Sequence, residues 1–434
     1  MSVACHSVRS PGVSRRGRWS RLGRLALILG VLLALCSVPL MAQWPQWGGP
    51  QRNFQAPQVP LAQEWPEDGP PSVWRRPLGD GTSAITVVEG TLYTLYRKTE
   101  EAMESVVALD AANGKTLWEH SYPAPLWEGF QAVPSQGPHS APLAVGERLY
   151  TVGVRGFLKC WNRLNGQLLW ERDLWGEYGG EPRNSGYSPS PLAWKDRLIL
   201  PWGGEGQAVL ALSLEDGSQI WASQDFRATY GSPLLIELGG RPQVVVPMAE
   251  HVAALDPQDG RLLWSHPHKN VHGINASTPL WLPGNRLFIS SGYDGGSRML
   301  HIKETPDGGF EAEELWYSRR VKIHHGTAVW LDGRIYASSG DVGPAFLVAV
   351  DPQTGEMAVR QRGFTKANFL AVGDILIILD QNGELALAKP GEERIRILDQ
   401  SQVLTTLSWT VPSMAGSRLY LRDRREIAAF ELGK

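Results

Sequence analysis

Residues Ala108–Glu119 read ALDAANGKTLWE. Nearly the same phrase returns as KCWNRLNGQLLWE (Lys159–Glu171), ALSLEDGSQIWA (Ala211–Ala222), AALDPQDGRLLWS (Ala253–Ser265) and AVDPQTGEMAVR (Ala349–Arg360). Each copy sets a glycine after a turn-forming residue, at Gly114, Gly166, Gly217, Gly260 and Gly355. In the first four a tryptophan follows four residues later: Trp118, Trp170, Trp221 and Trp264. These tryptophans are 52, 51 and 43 residues apart; Trp316 of EELWYS lies 52 further on, and Val359 another 43. Periods of this size belong to propeller blades, helical solenoids or arrays. The helical options fail on the intervening sequence. APLAVGERLYTVGVRGFLKCWN and TPLWLPGNRLFISSGYD are short alternating strands punctuated by Gly, Pro, Asn and Asp.

One unit can be drawn in full. Ser140–Val145, RLYTVG, FLKCWN and QLLWERD make four antiparallel strands, one propeller blade. The Asn165–Gly166 turn uses a glycine because such turns need positive φ. The tryptophan after it is large and flat enough to fill the wedge between blades, burying on the order of 200 Å². Copies end near Trp118, Trp170, Trp221, Trp264, Trp316, Val359 and Leu398. Pro412–Leu432 then offers three strands without a fourth, and PSVWRRPL (Pro71–Leu78), with Trp74, offers the missing one. The expectation is an all-β, eight-bladed propeller of four-stranded antiparallel blades, closed by pairing of N- and C-terminal strands. Seven blades is the alternative, since the copies after Trp316 are worn. Trp74, Trp118, Trp170, Trp221, Trp264 and Trp316 are expected to dock blades.

The first 42 residues differ from the rest. Six arginines and no acid precede the apolar run Leu25–Leu35, which is too short to span a bilayer comfortably. Ala42 stands at a plausible cleavage point, so 1–42 reads as a secretory signal peptide. A lipoprotein anchor at Cys36 is the alternative. Residues 43–71 form a Trp/Pro-rich segment expected to pack against the propeller, which runs 72–434. Without the leader, 36 basic residues face 44 acidic ones, a net charge of −8. That disfavours a nucleic-acid partner. Only Cys160 remains, so no internal disulfide is available. The expected state is a monomer without a transmembrane segment, exported to the periplasm.

The A-x-D-x-x-x-G-x-x-x-W unit resembles the repeat of the pyrroloquinoline-quinone (PQQ) family of propellers. WPQWGGP (Trp44–Pro50) and HHGTAVWLDGRIYA (His324–Ala337) look like an exported bacterial branch of PQQ-like repeat proteins. The resemblance covers Trp44 to the C-terminus. It implies a superfamily that holds both quinoprotein alcohol dehydrogenases and a non-enzymatic lipoprotein of outer-membrane β-barrel assembly. Fold alone does not choose between them.

Function is expected in the loops from each fourth strand to the next first strand, which share one face. They carry His139, Tyr187, Tyr230, Asn275, His324, His325 and Trp409 as candidate funnel residues, with Ser83, Asn184, His272 and Asn368 beside them. Such a rim suits a small polar ligand, an extended peptide or an envelope protein. The blander reading gives the Ser and Thr residues a capping role. Adjacent residues on a strand point to opposite faces, so His324 and His325 are not expected to share a metal. No metal and no cofactor are expected. PQQ with calcium is the alternative, with Glu181, Asn184, Asn275 and Asp294 as possible ligands. The dehydrogenases of the superfamily stack their quinone on a disulfide of adjacent cysteines, which one cysteine cannot form. No G-x-S-x-G, Walker or H-E-x-x-H motif appears. The expected role is binding or scaffolding, conceivably in envelope protein assembly; a dehydrogenase, or a hydrolase or lyase using funnel histidines, are the alternatives.

Overall fold

The computed structural model describes residues 43–180 and 183–434. The leader, with Cys5 and Cys36, and the candidate ligand Glu181 lie outside the described residues. From residue 43 the chain forms eight four-stranded antiparallel blades in a ring. Seven are continuous in sequence, spanning 86–123, 143–173, 192–223, 234–267, 280–318, 329–361 and 367–402. The eighth combines Ser413–Ala415, Arg418–Arg422 and Glu426–Glu431 with Ser72–Pro77 as its outer strand. Trp74 pairs with Ala429 in this closure, so the first and last strands lock the ring. Eight blades, not seven, is the outcome.

Within a blade the strands run A to D from the axis outward; in blade one they are Thr86–Val88, Thr91–Lys98, Met103–Asp110 and Thr116–Pro123. The inner three are almost wholly buried, while strand D alternates. Each D strand carries a bulge, and in six blades the tryptophan sits at it. Opposite the tryptophan stands a small residue in four of these blades: Ala108 faces Trp118, Ala211 Trp221, Ala254 Trp264 and Ala429 Trp74. The alanine of the repeat leaves room for the indole.

The glycine of the repeat serves the same contact from the next blade. A Cβ on Gly114 would lie 2.6 Å from Trp74, on Gly166 2.7 Å from Trp118, on Gly217 2.8 Å from Trp170, on Gly260 2.7 Å from Trp221 and on Gly355 2.5 Å from Trp316. All five glycines have φ near +75°. The turn is wider than a two-residue hairpin: the glycine N–H bonds the carbonyl four residues back, as from Gly114 to Asp110 and from Gly166 to Asn162. Trp264 departs from the pattern. Its neighbour, blade five, has a long outer hairpin ending at Thr305–Gly309, and Trp264 donates instead to Gln243 Oε1 of its own blade at 2.7 Å.

Residues 43–58 pack into the ring around its axis. Trp44 is buried and exchanges backbone hydrogen bonds with Val87. Buried Arg52 donates to the carbonyls of Ser190, Pro191 and Pro233, from blades three and four and the loops that enter them. Trp47 Nε1 donates to Thr278, and Gln55–Ala56 add a parallel strand to the inner edge of blade seven. Burial pushes the Arg52 guanidinium down to about 9.

Candidate functional site

The connections between blades and the B-to-C loops share one face of the disc. Many of the small hydroxyls on it bind neighbouring blades together. Ser83 donates to the Ser140 carbonyl, Ser277 to Gly326, Thr327 to Phe369 and Ser413 to Ile85. These hydroxyls are spent on joining one blade to the next rather than on capping their own strands.

Two candidate residues are likewise engaged below the surface. Asn275 is 2% exposed; its amide nitrogen lies within hydrogen-bonding distance of the carbonyls of Met248, Ala249 and His268, and its oxygen accepts from Asn270. His139 sits between Thr82 Oγ1 (2.8 Å) and the Ser185 carbonyl (3.1 Å), and burial lowers its pKa to about 4.

The others gather in two adjoining places. The first is a cleft of about 780 Å³ over blades two to five. Tyr187 and Tyr230 line it, as do Asn184 and His272. Tyr187 stacks on Trp202 with ring centres 5.8 Å apart. Three arginines also line it, and no Asp or Glu does among the described residues. Arg183 lies 5.0 Å over the Tyr230 ring, and burial lowers its pKa to about 10. Arg155 lies 5.5 Å over Trp175. Arg227 is mostly exposed and meets Glu250 at 3.4 Å. The wall beside Arg155 is built from two insertions between blades. One carries Trp127 and Phe130, and the other is the short helix Leu174–Tyr178 with Trp175, whose ring meets Trp127 edge-on at 5.2 Å.

The second place adjoins the first through Tyr293, which lines the cleft and holds φ +52° in a B-to-C loop. A non-glycine residue there is uncommon, and such strain clusters at functional sites. Tyr293 Oη and His324 Nε2 share a hydrogen bond at 2.6 Å, and His324 Nδ1 lies 3.1 Å from His325 Nδ1. His325 stacks on Trp409 at 3.7 Å. The sequence reading placed these histidines in an inter-blade loop but applied to them the alternation of a strand, pointing them apart. They do lie in the loop before strand Val329–Leu331, so the alternation rule does not apply and their rings touch. Burial lowers His324 to about 4 and His325 well below its ordinary value, so both are neutral at neutral pH.

The sequence reading missed Arg155, Arg183, Arg227, Trp175, Trp202 and Tyr293. Four of them sit in loops that it did not search, or at the ends of strands. A signal was available in VRGF, PRNSG and FRATYG, where each arginine stands close to a loop glycine.

Residues 102–361 match the family of the outer membrane protein assembly factor BamB, more than half of the chain. A quinoprotein ethanol dehydrogenase of Pseudomonas putida is 24% identical over 145 residues, 30% of this chain and 20% of that protein. The match thus spans about a fifth of that relative's length. Two solved structures share the fold. BamB of Moraxella catarrhalis superposes with TM-score 0.59 at 14% identity, covering 84% of this chain and all of that one. A europium-containing methanol dehydrogenase superposes with TM-score 0.67 at 12% identity, covering 90% and 91%. At such identities the likeness extends to the fold alone. The repeat and the family match together place this chain in the PQQ-like propeller family that includes BamB.

Proposed function

We propose that this chain is an exported binding propeller that presents its inter-blade loop face to a ligand or partner in the bacterial envelope. One observation carries the reading: that face holds the arginine- and aromatic-lined cleft of about 780 Å³, whereas the pocket on the opposite face, the side of turns such as Gly146–Glu147, lies beside Trp330 and Asp332 and is about 250 Å³. Assembly of envelope proteins is the role that the family name suggests for such a surface. No helix among the described residues is long and apolar enough to cross a membrane.

The dehydrogenase reading asks for a quinone held by a hard cation, which needs several oxygen ligands around one point. Among the described residues no three His, Cys, Asp or Glu side chains form a metal-holding group. Asn275 is spent on backbone, Asp294 pairs with Lys322 at 2.6 Å, and the cleft arginines repel a cation. Cys160 is a single buried thiol. The Asn275 and Asp294 pairings weigh against a cation-held quinone in the reading proposed here.

A second reading, hydrolase or lyase chemistry, is favoured by the Tyr293–His324 contact, which sets a proton donor against a neutral imidazole at the cleft edge. Tyr293→Phe would then abolish turnover of a bound ligand while leaving its affinity unchanged.

The binding reading is tested by photo-crosslinking in cells. A benzophenone residue at Asn184, on the cleft rim, is expected to capture an envelope component, and one at Glu147, on the opposite face, is not. Capture from residue 147 alone, or from neither, overturns the reading.

A further inference from the structure

We propose that the cleft takes an acidic oligosaccharide, its carboxylates held by Arg155, Arg183 and Arg227 and its ring faces laid against Trp175 and Trp202. The inference rests on the loop face being the binding surface and names the ligand class.

Three features of the cleft point to this chemistry. First, two of the arginines lie over rings, Arg183 5.0 Å from the Tyr230 ring centre and Arg155 5.5 Å from that of Trp175. A guanidinium meets a carboxylate bidentately through its N–H fork. Arg155 Nε is buried with no hydrogen-bond partner, and only its Nη1 is engaged, on the Pro125 carbonyl at 2.9 Å. Second, this cleft is lined by three arginines and, among the described residues, by no Asp or Glu, although residues 43–434 carry a net charge of −8. Such a local patch focuses the field on an anion that enters it. Third, aromatic side chains line the same cleft: Trp175, Tyr187, Trp202 and Tyr230.

A sugar fits these walls better than a peptide or a nucleic acid. The cleft is built from loop tips and one short helix, with no strand edge on which an extended peptide could add a strand. A nucleic-acid strand carries a charge on every phosphate and calls for a longer basic track than three arginines on an acidic protein. Carboxylated sugars combine spaced charges with apolar ring faces. A volume of about 780 Å³ accommodates a few rings.

Calorimetric titration of the purified protein tests the inference. The probes are tetragalacturonate, the neutral tetramer maltotetraose, hexaglutamate and a short oligothymidylate. Tetragalacturonate is expected to bind at least about tenfold tighter than each of the other three and to weaken as salt is added. Arg227→Ala and Trp202→Ala, on an exposed and a half-buried side chain, are each expected to weaken it about tenfold. Arg418→Ala, at the start of strand Arg418–Arg422 on the opposite face, is expected to leave it unchanged. Equal binding of the neutral tetramer, a preference for the peptide or the oligonucleotide, no binding, or indifference to Arg227→Ala in a variant of unchanged melting temperature overturns the inference. If the uronate fails while residue 184 still crosslinks, the ligand class falls and the binding face stands.

Discussion

The buried histidines give the molecule a one-sided response to acid. Burial holds His139 at about 4 and His268 at about 3, against about 6.5 in an unfolded chain. Their folded values are depressed, so above pH 6.5 neither group distinguishes the two states. Below it the unfolded chain takes up protons that the native state refuses, and stability falls. The ceiling is about 1.4 kcal/mol per pH unit for each histidine. The melting temperature is therefore expected to drop between pH 6.5 and 4.5, and His139→Asn to flatten the slope; an unaltered slope would contradict this. At this scale the sequence was legible where a loop position limited the choice. Tyr187, Tyr230, His324, His325 and Trp409 all reached the cleft or the cluster beside it. The arginines were not legible, because an arginine on a surface is ordinary until the fold brings it beside other arginines and aromatic rings. Asn275 misled for the opposite reason: a polar side chain in a loop can serve its own backbone.

Between blades, one repeated contact accounts for most of the sequence pattern. The turn glycine of one blade lies under the indole of the blade before it, and the small residue of strand C leaves space for that ring. Gly166→Ala meets both the positive φ and Trp118, and is expected to cost about 2–4 kcal/mol, the sum of backbone strain and displaced packing. Gly90→Ala has a similar φ but open space around it, so only the strain of about 1–2 kcal/mol applies. Chemical denaturation of both variants measures the difference; equal losses would show that the indole contact contributes nothing. The repeat was readable because it serves this contact. It changes where the contact changes: the long hairpin of blade five leaves Trp264 to Gln243, and after Trp316 Val359 takes the place of a tryptophan in blade six. The bulge in each D strand was not readable, since it shows only in strand register.

Closure and filling set the properties of the whole ring. The eighth blade joins residues more than 330 positions apart, as in the Ser72–Phe430 pairing. The pattern announced that closure, because Trp74 stood without a blade and the last blade stood without a fourth strand. The segment 43–58 was expected only to pack; that it contacts the inner strands of several blades follows from Trp44, Trp47 and Arg52 acting together. Arg52→Ala strands three carbonyls around the axis and is expected to cost at least about 1–3 kcal/mol; a denaturation midpoint equal to wild type would contradict the filling role. With the axis filled, the off-axis arginine cleft becomes the place to look for function, and its chemistry favours anions over cations. The most direct test of a binding rather than a quinone-dependent role is calorimetric titration with PQQ, with and without calcium. Calcium is expected to make no difference, whether the quinone's carboxylates find the arginines or not. Tight binding that appears only with calcium would contradict it.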